Sequence, residues 1–325
     1  MSRTGRLLAT LLVIVAVGGG GAALLIFWAS GPGGPLGPGS ECRATVDGHT
    51  TVLSLDQAEH AATIAAVAIA RDLPARAVTV ALATAYQESD IANLDYGDRD
   101  SLGLFQQRPS QGWGTPDEVQ DPVYAAGAFY DALQQVPGYR DMEITDAAQE
   151  VQRSAYPEAY ADHEDDARVL ASALTGYSEA TFYCTFSPDS VAAEAEGADG
   201  LTDRARAVRD ALESTFGDLD IGGFQPGGVS SGHVEGSAHY AGRALDIMLR
   251  AYDNPAVNRR GWALAHWATA YADKLGIATV IYDEHIWTAR RSDEGWRDYT
   301  HPSGDTADPT LRHLDHVHID VAEGV

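Results

Sequence analysis

The sequence predicts an α+β protein in which an almost entirely helical domain precedes a domain of mixed helices and strands. Three observations support this prediction. Residues 55–88 are rich in Ala and Leu and carry apolar side chains at helical spacing, residues 243–283 alternate between strand and helix periods, and residues 7–28 form an uncharged apolar run. The 325 residues are enough for two domains and one further segment.

The apolar run from Leu7 to Trp28 has the length of a transmembrane helix. As a helix its 22 residues would extend about 33 Å, enough to cross the core of a bilayer. Arg3 and Arg6 precede the run and favour the cytoplasmic side. We therefore predict a single-pass cell-membrane anchor at 1–29, with both domains on the extracytoplasmic side. A cleaved signal peptide is the alternative, although the run is long for one and no clear cleavage site follows it.

A Gly- and Pro-rich linker at 30–41 leads into the first predicted domain, residues 42–186. Pro74 separates two long Ala-rich helices in this domain. Apolar spacing predicts its helices at 55–73, 75–88, 121–135, 145–154 and 163–175.

An acidic segment poor in large apolar residues, 187–200, predicts a flexible linker to the second domain, residues 201–325. That domain opens with a predicted helix. Its elements are predicted as helices at 201–215 and 258–275, strands at 243–249 and 278–283, and a carboxyl-terminal strand that carries His316 and His318.

The formal net charge of −25 argues against a polyanionic partner. Nucleic acid would be repelled by such a chain, so we expect no nucleic-acid binding.

The chain contains two cysteines, Cys42 and Cys184, and thiols outside the cell are usually oxidised. A disulfide between them would close a loop of about 140 residues and stabilise the fold by about 4 to 5 kcal/mol in the chain-entropy treatment. Two buried free thiols are the alternative.

Glu88 is the first candidate for catalysis, because it ends an apolar predicted helix and precedes a polar, turn-rich loop. A carboxyl group against a hydrophobic helix is harder to ionise, so its pKa rises and it can donate a proton near neutral pH. Cleavage of a glycosidic bond needs such a donor. A solvated glutamate at a helix end is the alternative.

The pattern of Glu-Ser at 88–89 and Ser-Leu-Gly-Leu-Phe-Gln at 101–106 resembles the lytic transglycosylase and goose-type lysozyme group over about residues 50–180. The resemblance implies a lysozyme-like fold in which Glu88 is the general acid beside a saccharide groove. The groove residues that it implies are Ser89, Gly103, Leu104, Phe105 and Gln106.

Two departures from this family leave parts of the site open. The family's Ala-Tyr-Asn-Ala-Gly segment is missing, and its nearest substitute, Leu-Thr-Gly-Tyr-Ser, makes Tyr177 a candidate for substrate binding. A second carboxylate would favour hydrolysis over transglycosylation, and Asp95, Asp98 and Asp100 are candidates, with solvated loop aspartates as the alternative.

His239, Asp246, His316 and His318 predict a metal site in the second domain. His239 and Asp246 are seven residues apart with Gly242 between them, so a tight turn can bring both to one ion. His316 and His318 alternate on a predicted strand and therefore share a face. A His, Asp, His set leaves the fourth zinc position open for a water, as a catalytic site requires. Histidines facing solvent in a metal-free domain are the alternative.

This spacing resembles the zinc D-alanyl-D-alanine peptidase group over about residues 200–325, and implies the α+β fold that these peptidases share with hedgehog proteins. By this resemblance His239, Asp246 and His318 bind zinc, and Asp315 stands at the position of the general base. His316 would either contact the zinc ligands without binding the ion itself or contact the transition state. The family's Gly-Tyr-Arg, which holds a substrate carboxylate, is replaced by Gly-Phe-Gln at 223–225, which favours an endopeptidase cut.

Together the two resemblances imply a cell-wall hydrolase of two domains, and residues 152–164 resemble a segment of membrane-anchored actinobacterial proteins. The partner of this protein would be peptidoglycan. Glu88 would cleave the glycan strand, and the zinc domain would cleave a stem or cross-link peptide. There are two alternatives. Only one domain is active, or the protein is non-catalytic, binds peptidoglycan and recruits wall enzymes.

Overall fold

The computed structural model describes residues 39–154, 156–304 and 306–325. The predicted transmembrane anchor and nearly all of the Gly- and Pro-rich linker lie outside the described residues. Within these ranges no helix has the length and hydropathy needed to cross a membrane. Residues 40–325 pack as one unit of mixed helices and strands, which confirms the α+β class.

The amino-terminal half combines a three-stranded antiparallel sheet with helices. The sheet has the order β2-β1-β3. The elements of this half are β1 (Glu41–Val46), β2 (His49–Leu53), α1 (Leu55–Ala70), α2 (Ala75–Ser89), α3 (Pro116–Gln120), α4 (Pro122–Gln134), α5 (Ile144–Gln152), α6 (Glu164–Leu174) and β3 (Phe182–Thr185). The helices agree with the predicted ones apart from short α3, but the sheet was not predicted, and the expectation of an almost all-α half is wrong in this respect.

The predicted disulfide is confirmed, and it explains how the small sheet closes. Cys42 on β1 lies directly opposite Cys184 on β3, and the two are bonded. Both side chains are fully buried. The bond therefore joins the first and last strands of this half, 142 residues apart in sequence.

Helix α2 passes through the amino-terminal core and carries Glu88 near its carboxyl end. It begins after Pro74, whose extended backbone starts the helix, and most of its side chains from Ala77 to Ala85 are buried. It ends where Asp90 takes a left-handed conformation and donates its N–H to the carbonyl of Tyr86. This stop leaves Glu88 in the last turn, at the edge of the core.

The carboxyl-terminal half is built on a six-stranded sheet in which every described pairing is antiparallel, in the order β4-β5-β9-β6-β7-β8. Its elements are α7 (Asp203–Phe216), β4 (Ile221–Gly222), β5 (Ala244–Met248), α8 (Pro255–Ala270), α9 (Ala272–Leu275), β6 (Ile277–Tyr282), β7 (His285–Thr288), β8 (Arg297–Asp298) and β9 (His316–Val321). Central strands β5 and β9 are neighbours, and they carry most of the predicted metal ligands.

Helix α8 joins the two halves, because it packs on α1, α6 and β3 of the first and on β6 and β9 of the second. At this junction His266 bonds to the carbonyl of Ala173 at 2.8 Å, and the Trp296 indole N–H donates to the carbonyl of Phe182 at 2.8 Å. The core is therefore continuous across the two halves.

The acidic segment 187–200 forms no helix or strand, but it is bonded to the second half. The backbone N–H of Arg204 donates to the Glu194 carboxylate at 2.9 Å, and the N–H of Val325 donates to the carbonyl of Val191 at 2.9 Å. The sequence predicted a flexible linker here, whereas in the structure the segment is hydrogen-bonded along the second half.

Candidate metal centre and carboxylate site

Three elements bring the predicted zinc ligands together. Asp246 on β5 lies directly opposite His318 on β9 in the antiparallel register. His239 comes from a 3₁₀ turn at 238–241, which begins where the Ser237 hydroxyl accepts the His239 N–H and ends at left-handed Gly242. The ligands are thus held by strand pairing and by a tight turn, of which the spacing predicted only the turn.

The three ligand atoms form a nearly equilateral triangle. Asp246 Oδ1 lies 3.0 Å from His318 Nδ1 and 3.3 Å from His239 Nε2, and the two nitrogens are 3.2 Å apart. Ligands at 2.0 to 2.1 Å from a tetrahedral zinc ion are about 3.3 Å from one another. The triangle therefore has the size that one face of a tetrahedral zinc site requires.

The outer nitrogens of both histidines face acceptors. His239 Nδ1 donates to the carbonyl of Gly223 at 2.7 Å, and His318 Nε2 lies 3.7 Å from an oxygen of Asp320. Such partners fix the tautomer and the ring orientation of metal-binding histidines. Because a carbonyl can only accept, His239 carries a proton on Nδ1, and Nε2 is the nitrogen that faces Asp246.

The electrostatics of this cluster favour a cation. Burial opposes the ionisation of Asp246, but hydrogen bonds from His239 and His318 outweigh it and hold the pKa of Asp246 well below its usual range. Burial lowers the pKa of His318, yet Asp246 and Asp320 outweigh burial and raise it to about 9. The carboxylates therefore stabilise positive charge at the centre of the triangle.

A fourth candidate ligand, His233, lies beside this triangle. One ligand atom each of His233, His239 and Asp246 lie within 4.8 Å of one another, close enough to bind one metal ion. The His233 ring stacks on that of His239, with centroids 3.9 Å apart and planes inclined by 18°. No local pattern in the sequence placed His233 at the site.

Asp315 and His316 form a hydrogen-bonded pair beside the ligand triangle. Asp315 Oδ1 accepts the Nδ1–H of His316 at 2.8 Å, and Oδ2 accepts the hydroxyl of Thr310 at 2.7 Å. His316 Nε2 lies 3.8 Å from Asp246 Oδ1. The imidazole therefore faces the ligand triangle, and Asp315 orients it.

The centre opens into a cleft of about 570 Å³. Its walls include apolar and aromatic side chains, among them Val234, Met248, Ile281, Tyr299 and His313. Gln225, the last residue of the Gly-Phe-Gln segment, donates its side-chain amide to the carbonyl of Gly228 at 3.0 Å and is not part of this lining. This agrees with the expectation that the cleft does not hold a terminal carboxylate through that position.

Glu88 occupies a half-buried position where its acid form is favoured. Tyr160 donates its hydroxyl to Glu88 Oε1 at 2.7 Å. Burial raises the pKa of Glu88, and hydrogen bonds from Tyr160 and Gln152 only partly oppose this rise. A carboxyl group of this kind is suited to donating a proton.

The structure brings the 101–106 segment onto the end of α2, as the resemblance implied. The Ser89 hydroxyl donates to the carbonyl of Leu104 at 2.7 Å, and the Gln152 amide donates to the carbonyl of Phe105 at 2.8 Å. The side chains of Leu104 and Phe105 are fully buried, with Phe105 stacked on Phe129 at 4.7 Å. These two side chains are core residues that hold the segment in place beside Glu88.

Gly103 and Gln106 set the course of the same segment, and both have positive φ. The N–H of Gly103 donates to the carbonyl of Leu94 at 2.8 Å, and a Cβ at Gly103 would lie 2.2 Å from the carbonyl oxygen of Val119. Gln106 is half-buried, and its side-chain amide donates to the carbonyl of Tyr96 at 3.2 Å. Of the predicted groove residues, Gln106 therefore offers the most accessible side chain.

Tyr177 is not placed beside Glu88. It is 60% exposed, lies next to Ala75 and Thr79 at the opposite end of α2, and stacks under the guanidinium of Arg259 at 4.7 Å. The 13 residues of helix that separate Ala75 from Glu88 correspond to about 20 Å. Tyr160 is the tyrosine that contacts Glu88, and the local sequence gave no signal that singled it out.

Two of the three candidate aspartates are located by their ion pairs. Asp100 accepts from the guanidinium of Arg108 and from the N–H of Ser110, both at 2.8 Å, so it closes the loop. Asp98 is largely exposed and lies 3.8 Å from the guanidinium of Arg99. Asp100 thus stabilises the loop, and no described contact links Asp98 or Asp100 to Glu88.

Comparison with known proteins gives one match. Residues 197–310 are similar to the family described as VldE, C-terminal domain, a peptidase-like family. The matched range includes His239 and Asp246 and ends before His316 and His318. No curated protein matches the chain. The match thus supports a peptidase-like carboxyl-terminal half and leaves the amino-terminal half without a counterpart.

Proposed function

We propose that this protein is a peptidoglycan hydrolase whose carboxyl-terminal half is a zinc peptidase. The observation that carries the proposal is the triangle formed by His239, Asp246 and His318, with edges of 3.0 to 3.3 Å. The peptidase-like match over residues 197–310 supports the same class of reaction.

The residues of the centre have distinct roles in this proposal. His239, Asp246 and His318 would hold zinc, which supplies a polarised water and a Lewis acid for an amide carbonyl. His316, oriented by Asp315, donates from Nε2 to the negative charge that develops on the substrate. The cleft has room for a peptide segment, and the absence of Arg at position 225 favours a cut within a stem or cross-link peptide.

A second activity is proposed for the amino-terminal half on the strength of the Glu88 environment. A half-buried carboxyl group with a raised pKa, hydrogen-bonded to Tyr160, is the donor that a glycosidic oxygen needs. Glu88 would protonate the bond between N-acetylmuramic acid and N-acetylglucosamine. Both activities would then act on one polymer.

The location that fits this function is the outer face of the cell membrane, with the apolar segment Leu7–Trp28 as a single-pass anchor. The disulfide between Cys42 and Cys184 supports an oxidising compartment, because such bonds persist outside the cytoplasm. The net charge of −25 would keep the protein from binding nonspecifically to an anionic wall.

The decisive experiment is digestion of purified peptidoglycan by the full-length protein in detergent with added zinc, followed by mass spectrometry of the released fragments. We expect His239→Ala to abolish the peptide cuts and Glu88→Gln to abolish the glycan cuts, each leaving the other products intact. If the parent protein sediments with peptidoglycan but releases no fragments, the protein is a binding or scaffold protein and the catalytic proposal fails.

A further inference from the structure

His233 lies at the open side of the metal centre on a segment of unusual composition. Residues 223–237 contain no helix or strand and include five glycines with positive φ. His233 is held within this segment by Tyr240, whose hydroxyl donates to the His233 carbonyl at 2.6 Å and accepts its N–H at 3.1 Å. Its placement is therefore specific, although the segment around it is irregular.

Two observations direct this histidine toward the metal. Its ligand atom lies within 4.8 Å of those of His239 and Asp246, and its ring covers that of His239. The predicted set of His239, Asp246 and His318 fills only three of the four positions of a tetrahedral zinc ion. His233 is thus a nitrogen donor beside two of the three ligands, in the wall of the cleft into which the centre opens.

We propose that His233 is a fourth, displaceable metal ligand that closes the centre until a substrate enters the cleft. This inference rests on the proposed metal function. Zinc with four protein ligands is typical of closed sites, whereas catalytic sites keep one position open. A centre with His233 bound is latent, and displacement of His233 opens it.

The contrast in anchoring explains why His233 is the ligand that leaves. His239, Asp246 and His318 are 2 to 8% exposed and are held by a tight turn and by paired strands. His233 is part-exposed, and its neighbour Val234 is 44% exposed at the mouth of the cleft. A substrate that packs against Val234 displaces the glycine-rich segment without disturbing the strands.

The test is cobalt substitution, since the visible spectrum of bound Co²⁺ reports its coordination number independently of activity. The full-length protein, His233→Ala and His301→Ala are compared, with the Co²⁺ dissociation constant measured by chelator competition. His301 lines the same cleft and bonds to Ser303, so its variant is the matched control. Tyr240→Phe, which keeps all three buried ligands and releases the His233 backbone, is the second variant.

We expect His233→Ala to weaken Co²⁺ binding by about tenfold or more, to change the cobalt spectrum, and to raise peptide cleavage per bound metal. Tyr240→Phe should change the cobalt spectrum in the same direction. His301→Ala should have the same spectrum and the same Co²⁺ dissociation constant as the parent. An unchanged spectrum and dissociation constant in His233→Ala overturns the inference and leaves the metal function standing. Equal Co²⁺ binding by the parent and His239→Ala overturns both.

Discussion

Acidification is expected to destabilise the protein through His266, which lies at the junction of the two halves. The side chain is fully buried on α8 among the rings of Phe182, Trp262 and Trp296. Nδ1 bonds to the carbonyl of Ala173, while Nε2 has no hydrogen-bond partner among the described residues. Burial lowers the pKa of His266 to about 4, and the Ala173 carbonyl opposes this only in part.

The size of the effect follows from the two pKa values. In the unfolded chain the pKa of His266 is close to 6.5, so the unfolded state takes up the proton first as the pH falls. Because the folded pKa is the lower one, stability is full above pH 6.5 and is lost toward pH 4. The loss from this one group is about 2 kcal/mol at pH 5 and about 3 kcal/mol at pH 4.

The assay is denaturant unfolding of the parent and of His266→Phe from pH 8 to pH 4, with the disulfide intact. Phenylalanine keeps an aromatic ring in the cage, and the Ala173 carbonyl retains the N–H of Gly176 as a donor at 2.9 Å. Other titrating groups are common to both proteins and cancel in the difference. If both proteins lose the same free energy of unfolding between pH 8 and pH 4, the reasoning from His266 is refuted.

Four further predictions concern the two sites and the disulfide. A Cβ at Gly223 would lie 2.4 Å from His239 Cε1, so Gly223→Ala should weaken metal binding by about 10- to 100-fold. At Gly222 the nearest atom to an added Cβ is 3.5 Å away, so Gly222→Ala is the control. It should bind metal as tightly as the parent in the same chelator titration. Glycan cleavage should fall about 10² to 10⁴-fold in Glu88→Gln. The hydrogen bond from Tyr160 lowers the pKa of Glu88, and the acid form of Glu88 is the active one. Tyr160→Phe should therefore move the alkaline loss of glycan cleavage to higher pH. An unchanged pH profile would exclude Glu88 as the proton donor that Tyr160 tunes. Reduction of the disulfide should lower the free energy of unfolding by about 2 to 5 kcal/mol, measured by denaturant titration with and without reductant.

Local patterns predicted the long helices and the residue pairs of the candidate metal site, because each depends on residues close in sequence. The predicted helix at 75–88 is observed at Ala75–Ser89, and the predicted helix at 258–275 corresponds to α8 and α9. The spacing of His239 to Asp246 and of His316 to His318 requires only one turn and one strand. The step that the sequence could not supply is the register that sets Asp246 opposite His318.

Apart from the disulfide between the chain's two cysteines, contacts between distant segments were beyond sequence reasoning. Strand β3 is four residues long and pairs with β1, about 140 residues earlier in the chain, whereas β1 also pairs with its sequence neighbour β2. Tyr160 and His233 reach their sites through tertiary packing, with no periodicity to mark them. Gly223 was noted in the sequence only for the arginine missing nearby, whereas its carbonyl and its lack of a Cβ are what position His239.

The packing of α8 on both halves links their stabilities. The rings of Trp262 and His266 on α8 pack against Trp296 of the second half, and His266 also packs against Phe182 of the first. Neither half can therefore bury these side chains alone. Glu59 on α1 and Lys274 on α9 add an ion pair of 2.6 Å at the same junction. A substitution that loosens this junction therefore acts on both candidate sites at once, whereas a substitution at Glu88 or His239 acts on one. Selective loss of one product is for this reason evidence about chemistry, and joint loss is evidence about the fold.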